Sequence, residues 1–363
     1  MDKKIQIAAI AFAIVFSVLV LTSPNDPIPL PEPNSNSDSD FVTVLAENLT
    51  KPRAIAVSDD RIFVTEKDGL IRVIQNNTLL ESPLATLRTA DVFDGGLLGI
   101  ALHPNFSTNH LMYVFMTYEE NDILWNKILQ ITESENKLVT AETILDKIPG
   151  SSFTNGGFIK FGPDNKLYVG TGTVSDASHL PQDLNSLSGK ILRINDDGTI
   201  PEDNPFNNSP VYSLGHRNPQ GITWDDSGNL FVAEFGPEKN DEINLIQAGK
   251  NYGWPEQQCS GNEKFEDAVL CYDPSIEPGG ILYYSGESLD FESSFIMASM
   301  RAANLYQLDF DEGLSSQKSI LSGIGRVRDV VQGQDGSLYV ITSNTDGKGF
   351  PDSMDDKLLR ILK

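Results

Sequence analysis

Asp226-Ser227-Gly228-Asn229-Leu230-Phe231-Val232 carries the phrase on which the fold turns: a tight polar turn, then a short apolar strand with an aromatic residue inside it. The phrase returns as Pro163-Asp164-Asn165-Lys166-Leu167-Tyr168-Val169 and as Gln334-Asp335-Gly336-Ser337-Leu338-Tyr339-Val340. Asp59-Asp60-Arg61-Ile62-Phe63-Val64 and His110-Leu111-Met112-Tyr113-Val114 are further copies, and Glu292-Ser293-Ser294-Phe295-Ile296 is a weaker one. The aromatic anchors Phe63, Tyr113, Tyr168, Phe231, Phe295 and Tyr339 follow one another at intervals of 44 to 64 residues. Such an interval suits one four-stranded blade with loops of variable length, so six copies predict a six-bladed β-propeller. The last strand, Lys357-Leu358-Leu359-Arg360-Ile361-Leu362, is expected to pair with the blade begun at Phe41-Val42-Thr43-Val44-Leu45 and close the ring. A β-sandwich is the other all-β architecture, but it gives no reason for six copies of one phrase.

Outward from these copies, the whole of 41–363 lacks a sustained helical period. Short Val, Ile, Leu and Tyr runs alternate with Gly, Asp, Asn and Pro turns, as an all-β domain requires. Ahead of it, Met1-Asp2-Lys3-Lys4 precedes an apolar run over 5–21, so 1–22 reads as a hydrophobic helix serving as a signal peptide or membrane anchor. Either one exports the remainder, because Lys3 and Lys4 hold the start on the cytoplasmic side. Residues 23–40, rich in Pro, Ser, Asn and Asp, read as a disordered, flexible tether. The expectation is therefore a domain outside the cytoplasmic membrane, tethered to it or secreted after cleavage. There Cys259 and Cys271 suggest a local disulfide, two buried free thiols being the alternative. With 27 Lys and Arg against 51 Asp and Glu, the 363-residue chain carries a formal charge of −24. No basic stripe survives that balance, which excludes a nucleic-acid partner.

Propellers bind ligands where the blade loops converge on the central channel. Five stretches of loop and strand stand out. They are Gly95-Gly96-Leu97-Leu98-Gly99-Ile100-Ala101-Leu102-His103-Pro104, Asn155-Gly156-Gly157-Phe158-Ile159-Lys160-Phe161-Gly162-Pro163-Asp164 and Leu184-Asn185-Ser186-Leu187-Ser188-Gly189-Lys190-Ile191-Leu192-Arg193-Ile194. The fourth runs from Gly215-His216-Arg217-Asn218-Pro219-Gln220-Gly221 through Glu234-Phe235-Gly236-Pro237 and Asp241-Glu242-Ile243-Asn244 to Asn251-Tyr252-Gly253-Trp254-Pro255, and the fifth is Arg326-Val327-Arg328-Asp329-Val330. In this order they resemble the soluble glucose/sorbosone dehydrogenase family, the aldose sugar dehydrogenases, over about 42–361.

The resemblance implies a propeller that binds pyrroloquinoline quinone (PQQ) and calcium, oxidises an aldose at its anomeric carbon to the lactone, and passes electrons to an external acceptor. The cofactor would do the redox chemistry while the protein orients and polarises it. By the family pattern Arg217, Arg326 and Arg328 would face the three carboxylates of the quinone, with Asn218 hydrogen-bonding nearby and Arg301 in place of the family's Lys. The family's calcium would rest on the carbonyls of Gly236 and Pro237, with cofactor atoms completing its shell.

Several positions depart from that pattern. The catalytic His is Thr154 here, and the Asp that supports it is Thr173. The Arg after the second Gly pair is Phe158, the polar residue before Gly95 is Asp94, and Phe235 stands where a polar side chain often assists the calcium. A neutral His takes a hydroxyl proton well near neutral pH, and a threonine hydroxyl does not. Asp94, Asp176, His179 and His216 are the candidate replacements by loop position, His216 having a structural reading as well because the family keeps it beside its own base. The alternative function is a non-catalytic binding module of the same family, for which the two threonines speak. A metal-dependent lactonase would need a central Glu, Asn and Asp cluster that the sequence does not place. The bland readings are surface ion pairs for the arginines, blade turns for the Gly pairs, and core positions for Tyr252 and Trp254.

Overall fold

Each of the six aromatic anchors lies on the second strand of a separate antiparallel sheet, four-stranded in five cases and carrying a short fifth strand, Ala85–Thr86, in the sheet of Phe63. The computed structural model describes residues 41–174, 179–291, 293–310 and 314–362. The expected helix over 1–22 and tether over 23–40 lie outside the described residues. Blade 1 begins with Pro52–Val57 and blade 2 with Leu97–Leu102, each the innermost strand of its sheet. Gly156–Phe161, Pro219–Trp224, Pro278–Tyr284 and Val327–Gln332 open blades 3 to 6 in the same way. The ring closes as expected: Val42–Ala46 is the outer strand of blade 6, with Val42 opposite Ile361 and Val44 opposite Leu359. Among the described residues the helices are Phe106–Asn109 and a single 3-10 turn, Leu180–Gln182, and none is long and apolar enough to cross a membrane.

The core is divided as the blades are. Six hydrophobic clusters, one per blade boundary, each take one face of one sheet and the opposite face of the next. A central strand is then buried on both faces, which explains why strands such as Leu167–Thr171 and Leu230–Glu234 are apolar almost throughout rather than alternating. Phe63 shows how an anchor works: it is fully buried between blades 1 and 2 and meets Phe106 edge to face at 5.6 Å. Phe63→Ala should cost about 3–5 kcal/mol of stability, read as a shifted denaturant midpoint at unchanged slope.

At the same end of all six innermost strands the pairing register slips. Arg53 in blade 1, Gln220 in blade 4 and Arg328 in blade 6 are the extra residues of these bulges, without a partner on the second strand. A bulge bends the strand and re-aims its side chains. Glycines serve the same crowded ring, since a Cβ at Gly99 would come within 2.1 Å of the Gly157 carbonyl oxygen of the next blade. Below the bulges the innermost strands enclose a channel of about 630 Å³.

Candidate functional site

The bulged ends open into a mouth whose charge opposes that of the chain. Lys51, Arg53, Lys67, Arg326, Arg328 and Lys348 line it against two carboxylates, Asp94 and Asp346, on a chain of net charge −24. Arg53 and Arg326 have carboxylate partners there, while Lys51, Lys67, Arg328 and Lys348 have none among the described residues, and Arg328 is the one guanidinium among those four. Its Nη2 donates to Gln220 Oε1 at 2.9 Å and its Nη1 meets the Met300 sulfur at 3.2 Å, but no carboxylate pairs with it among the described residues. Burial and the neighbouring Arg53 charge pull its pKa down to about 9, against the pull of Asp94 and Asp329. A half-buried cation in that state is stabilised by any anion that reaches it.

Its neighbour Arg326 is ion-paired through two of its three nitrogens. Nε pairs with Asp346 at 3.0 Å and Nη2 with Glu277 at 2.9 Å. The other oxygen of Glu277 holds the partly exposed Arg301 at 2.8 Å, so one buried carboxylate sets the spacing of two guanidinium groups. Burial alone would raise the Glu277 carboxyl, but Arg326, Lys348 and Arg301 hold it below the usual range. Asp241 orders the same turn from behind: its Oδ2 accepts from Ser275 and from the N–H groups of Ile276 and Glu277, while Oδ1 accepts from the Gly236 N–H.

Arg217 lies against the Trp254 ring, with its guanidinium carbon 5.5 Å from the ring centre. Its Nη1 donates to the carbonyls of Phe235 at 2.8 Å and Gly236 at 2.6 Å, and its backbone N–H to the Glu234 carboxylate. Asn218 accepts at Oδ1 from the Gly156 N–H and from Gln220, which fastens the turn before blade 3. Phe235 has the Lys348 ammonium 5.8 Å from its ring centre, so the mouth keeps an aromatic face beside its cations. Tyr252 and Trp254 are both buried.

The candidate bases separate sharply. His216 is fully buried between Ser213 and Glu234 and stacks on Tyr252, which makes it a structural residue. Asp176 lies outside the described residues, and His179 is exposed on the loop entering Leu180–Gln182. Thr154 and Thr173 are in contact, with the Thr154 hydroxyl donating to the Thr173 backbone carbonyl at 2.7 Å. Phe158 turns away to pack on Gly170. Asp94 remains. Its Oδ1 accepts from Arg53 at 3.0 Å, and no described residue hydrogen-bonds its Oδ2. Both oxygens of Glu277 and of Asp346, by contrast, are taken. Burial pushes the Asp94 carboxyl up, but Arg53, Arg328 and Lys348 outweigh it and hold the group below its ordinary value.

These residues fit a compact polyanion such as the tricarboxylate PQQ, because the mouth carries excess cations and four of them lack a carboxylate partner among the described residues. They do not by themselves make a calcium site. The Gly236 carbonyl is already engaged by Arg217, and no cluster of three or more His, Cys, Asp or Glu suited to a metal occurs among the described residues, whereas calcium takes six to eight oxygens. The expected disulfide between Cys259 and Cys271 is present, and it braces the segment whose Cys259 N–H donates to Glu242. Arg53, Glu277 and Asp346 were not legible as motifs. For Arg53 a signal existed all the same: Pro52-Arg53-Ala54-Ile55, Pro219-Gln220-Gly221-Ile222 and Val327-Arg328-Asp329-Val330 place Arg53, Gln220 and Arg328 at one point of the repeat.

Comparison with known proteins identifies the family. The family described as Glucose / Sorbosone dehydrogenase matches residues 49–360. Quinoprotein glucose dehydrogenase B of Acinetobacter calcoaceticus is 34% identical over 246 residues, 58% of this chain and 52% of that protein. Aldose sugar dehydrogenase YliI of Escherichia coli is 28% identical over 340 residues, 85% of this chain and 91% of that one. The PQQ-bound aldose sugar dehydrogenase of Streptomyces coelicolor superposes with a TM-score of 0.80 at 35% identity, covering 88% of this chain and 97% of that one.

Proposed function

This chain belongs to the glucose/sorbosone dehydrogenase family, and on that premise we propose that it oxidises an aldose at the anomeric carbon to the lactone, using PQQ held in the cation-rich mouth. The observation that carries the reading is Arg328, a half-buried guanidinium without a carboxylate partner among the described residues. Arg328, Arg53 and Arg326 would hold the carboxylates of the cofactor, with Arg301 beside them under the hold of Glu277. Bound there, PQQ supplies the two-electron acceptor for the hydride that leaves the anomeric carbon, and an external acceptor later takes the electrons. Asp94 Oδ2 receives the proton of the anomeric hydroxyl, while Arg53 on Oδ1 fixes the carboxylate. Gln220 and Asn218 hold Arg328 and the Gly156 turn in place. Calcium on the Gly236 and Pro237 carbonyls would require Arg217 to release Gly236, and no step here depends on it. Export through 1–22, with or without cleavage, completes the reading.

A second reading, a propeller that holds the cofactor or a sugar without turnover, is favoured by the closed Thr154–Thr173 contact. One assay separates the two. The chain from residue 35 onward, given PQQ, a panel of aldoses and an artificial dye acceptor, should reduce the dye. Cofactor uptake without dye reduction on any aldose would leave the binding module, and Thr154→His would then be the variant to restore turnover.

A further inference from the structure

Two phenylalanines stand in water beside the mouth. Phe93 is 51% and Phe153 is 55% exposed, yet their rings touch, with centroids 4.9 Å apart at an angle of 45°. Their backbones are fastened: the Asp94 N–H donates to the Ser152 carbonyl at 2.8 Å, which stitches the two loops together. Asp94 is further held by Arg53, and Thr154 by the Thr173 carbonyl. The pair is thus a built feature, and exposed apolar surface framed by charge marks a contact site. Lys348 frames it, with its ammonium 5.5 Å from the Phe93 ring centre.

We propose that Phe93 and Phe153 form a shelf for the second ring of a reducing oligosaccharide whose first ring reacts beside Asp94, an inference that rests on the dehydrogenase reading. Each phenylalanine directly precedes Asp94 or Thr154, so its Cα lies about 3.8 Å from theirs. A sugar unit that extends outward from the reacting ring meets this rim next. The chemistry matches: a pyranose has a face of C–H groups that packs on aromatic rings and an edge of hydroxyls that Lys348 can bond. Phenylalanine offers a tricarboxylate neither charge nor hydrogen bonds, which sets the shelf apart from the cofactor's cations. The other chemistry such rings take is a flat, apolar electron acceptor, and the test separates it.

The experiment uses the full chain loaded with PQQ, comparing glucose with its 1,4-linked disaccharides maltose and cellobiose. The double variant Phe93→Ala with Phe153→Ala should raise KM for a disaccharide about tenfold while kcat and the KM for glucose stay within twofold. Phe153→Trp, which keeps an aromatic face, should retain the disaccharide KM. Saturation-transfer NMR on the cofactor-free chain gives an independent reading: the non-reducing ring of maltose should receive magnetisation from the wild type and not from the double variant. An equal rise for glucose and the disaccharides would overturn the shelf, as would a rise confined to the KM of the dye acceptor. Were no aldose oxidised at all, the dehydrogenase reading would fail, and the NMR comparison would still decide the shelf.

Discussion

Replacing Arg328 with Gln will weaken PQQ uptake by about a hundredfold or more and leave the fold at least as stable as before. The first half follows from charge-assisted pairing in a partly desolvated mouth, where removing one partner costs about 2–5 kcal/mol. Each 1.4 kcal/mol is tenfold in affinity. The second half follows from the absence of a carboxylate partner, because the substitution breaks no ion pair and removes repulsion from Arg53. Arg326→Gln is the contrast, since it takes an ion-pair partner from both Glu277 and Asp346 and should lower the melting temperature. An Arg328→Gln protein that binds PQQ within threefold of the wild type would remove the anion site from this account.

Asp94→Asn should lower turnover by about a hundred- to ten-thousand-fold while PQQ uptake is kept or improved, because the mouth loses a negative charge. The pH profile gives the same residue a second test. Asp94 is held below the usual carboxylate pKa of about 3.9, and a group with a depressed pKa stays ionised, and able to accept a proton, at every pH above it. The rate should therefore stay level from pH 8 down to about pH 5 and fall only as the pH enters or passes below the carboxylate range. A histidine base would begin to lose activity near pH 6.5. A drop there, or full activity in the Asn variant, would move the proton acceptor elsewhere.

The propeller was legible because its repeat is enforced by packing. Phe63, Tyr113, Tyr168, Phe231, Phe295 and Tyr339 sit on strands covered on both faces, so each blade must supply the same apolar phrase after the same kind of turn. The closure of Phe41-Val42-Thr43-Val44-Leu45 on the last strand was legible for a related reason, as both segments were strands without another partner. The site was legible in part. Arg217, Arg326 and Arg328 stood out through resemblance, but their partners did not. Glu277 is one acidic residue before Pro278, and only the fold brings it between Arg301 and Arg326. Arg53 and Gln220 reach the mouth because a bulge displaces them, and a bulge is a property of register between two strands rather than of either sequence. Thr154 was read as a vacancy in the machinery. Its hydroxyl in fact closes a hydrogen bond of its own, which puts the question of the base on Asp94.

The most direct test of the central claim is an equilibrium titration of the chain with PQQ, followed by the visible absorbance of the bound quinone at low and high salt, with and without added calcium. The account predicts saturation at one quinone per chain, weakened by salt because the contacts are ionic. A chain that takes up no PQQ under any of these conditions would contradict it.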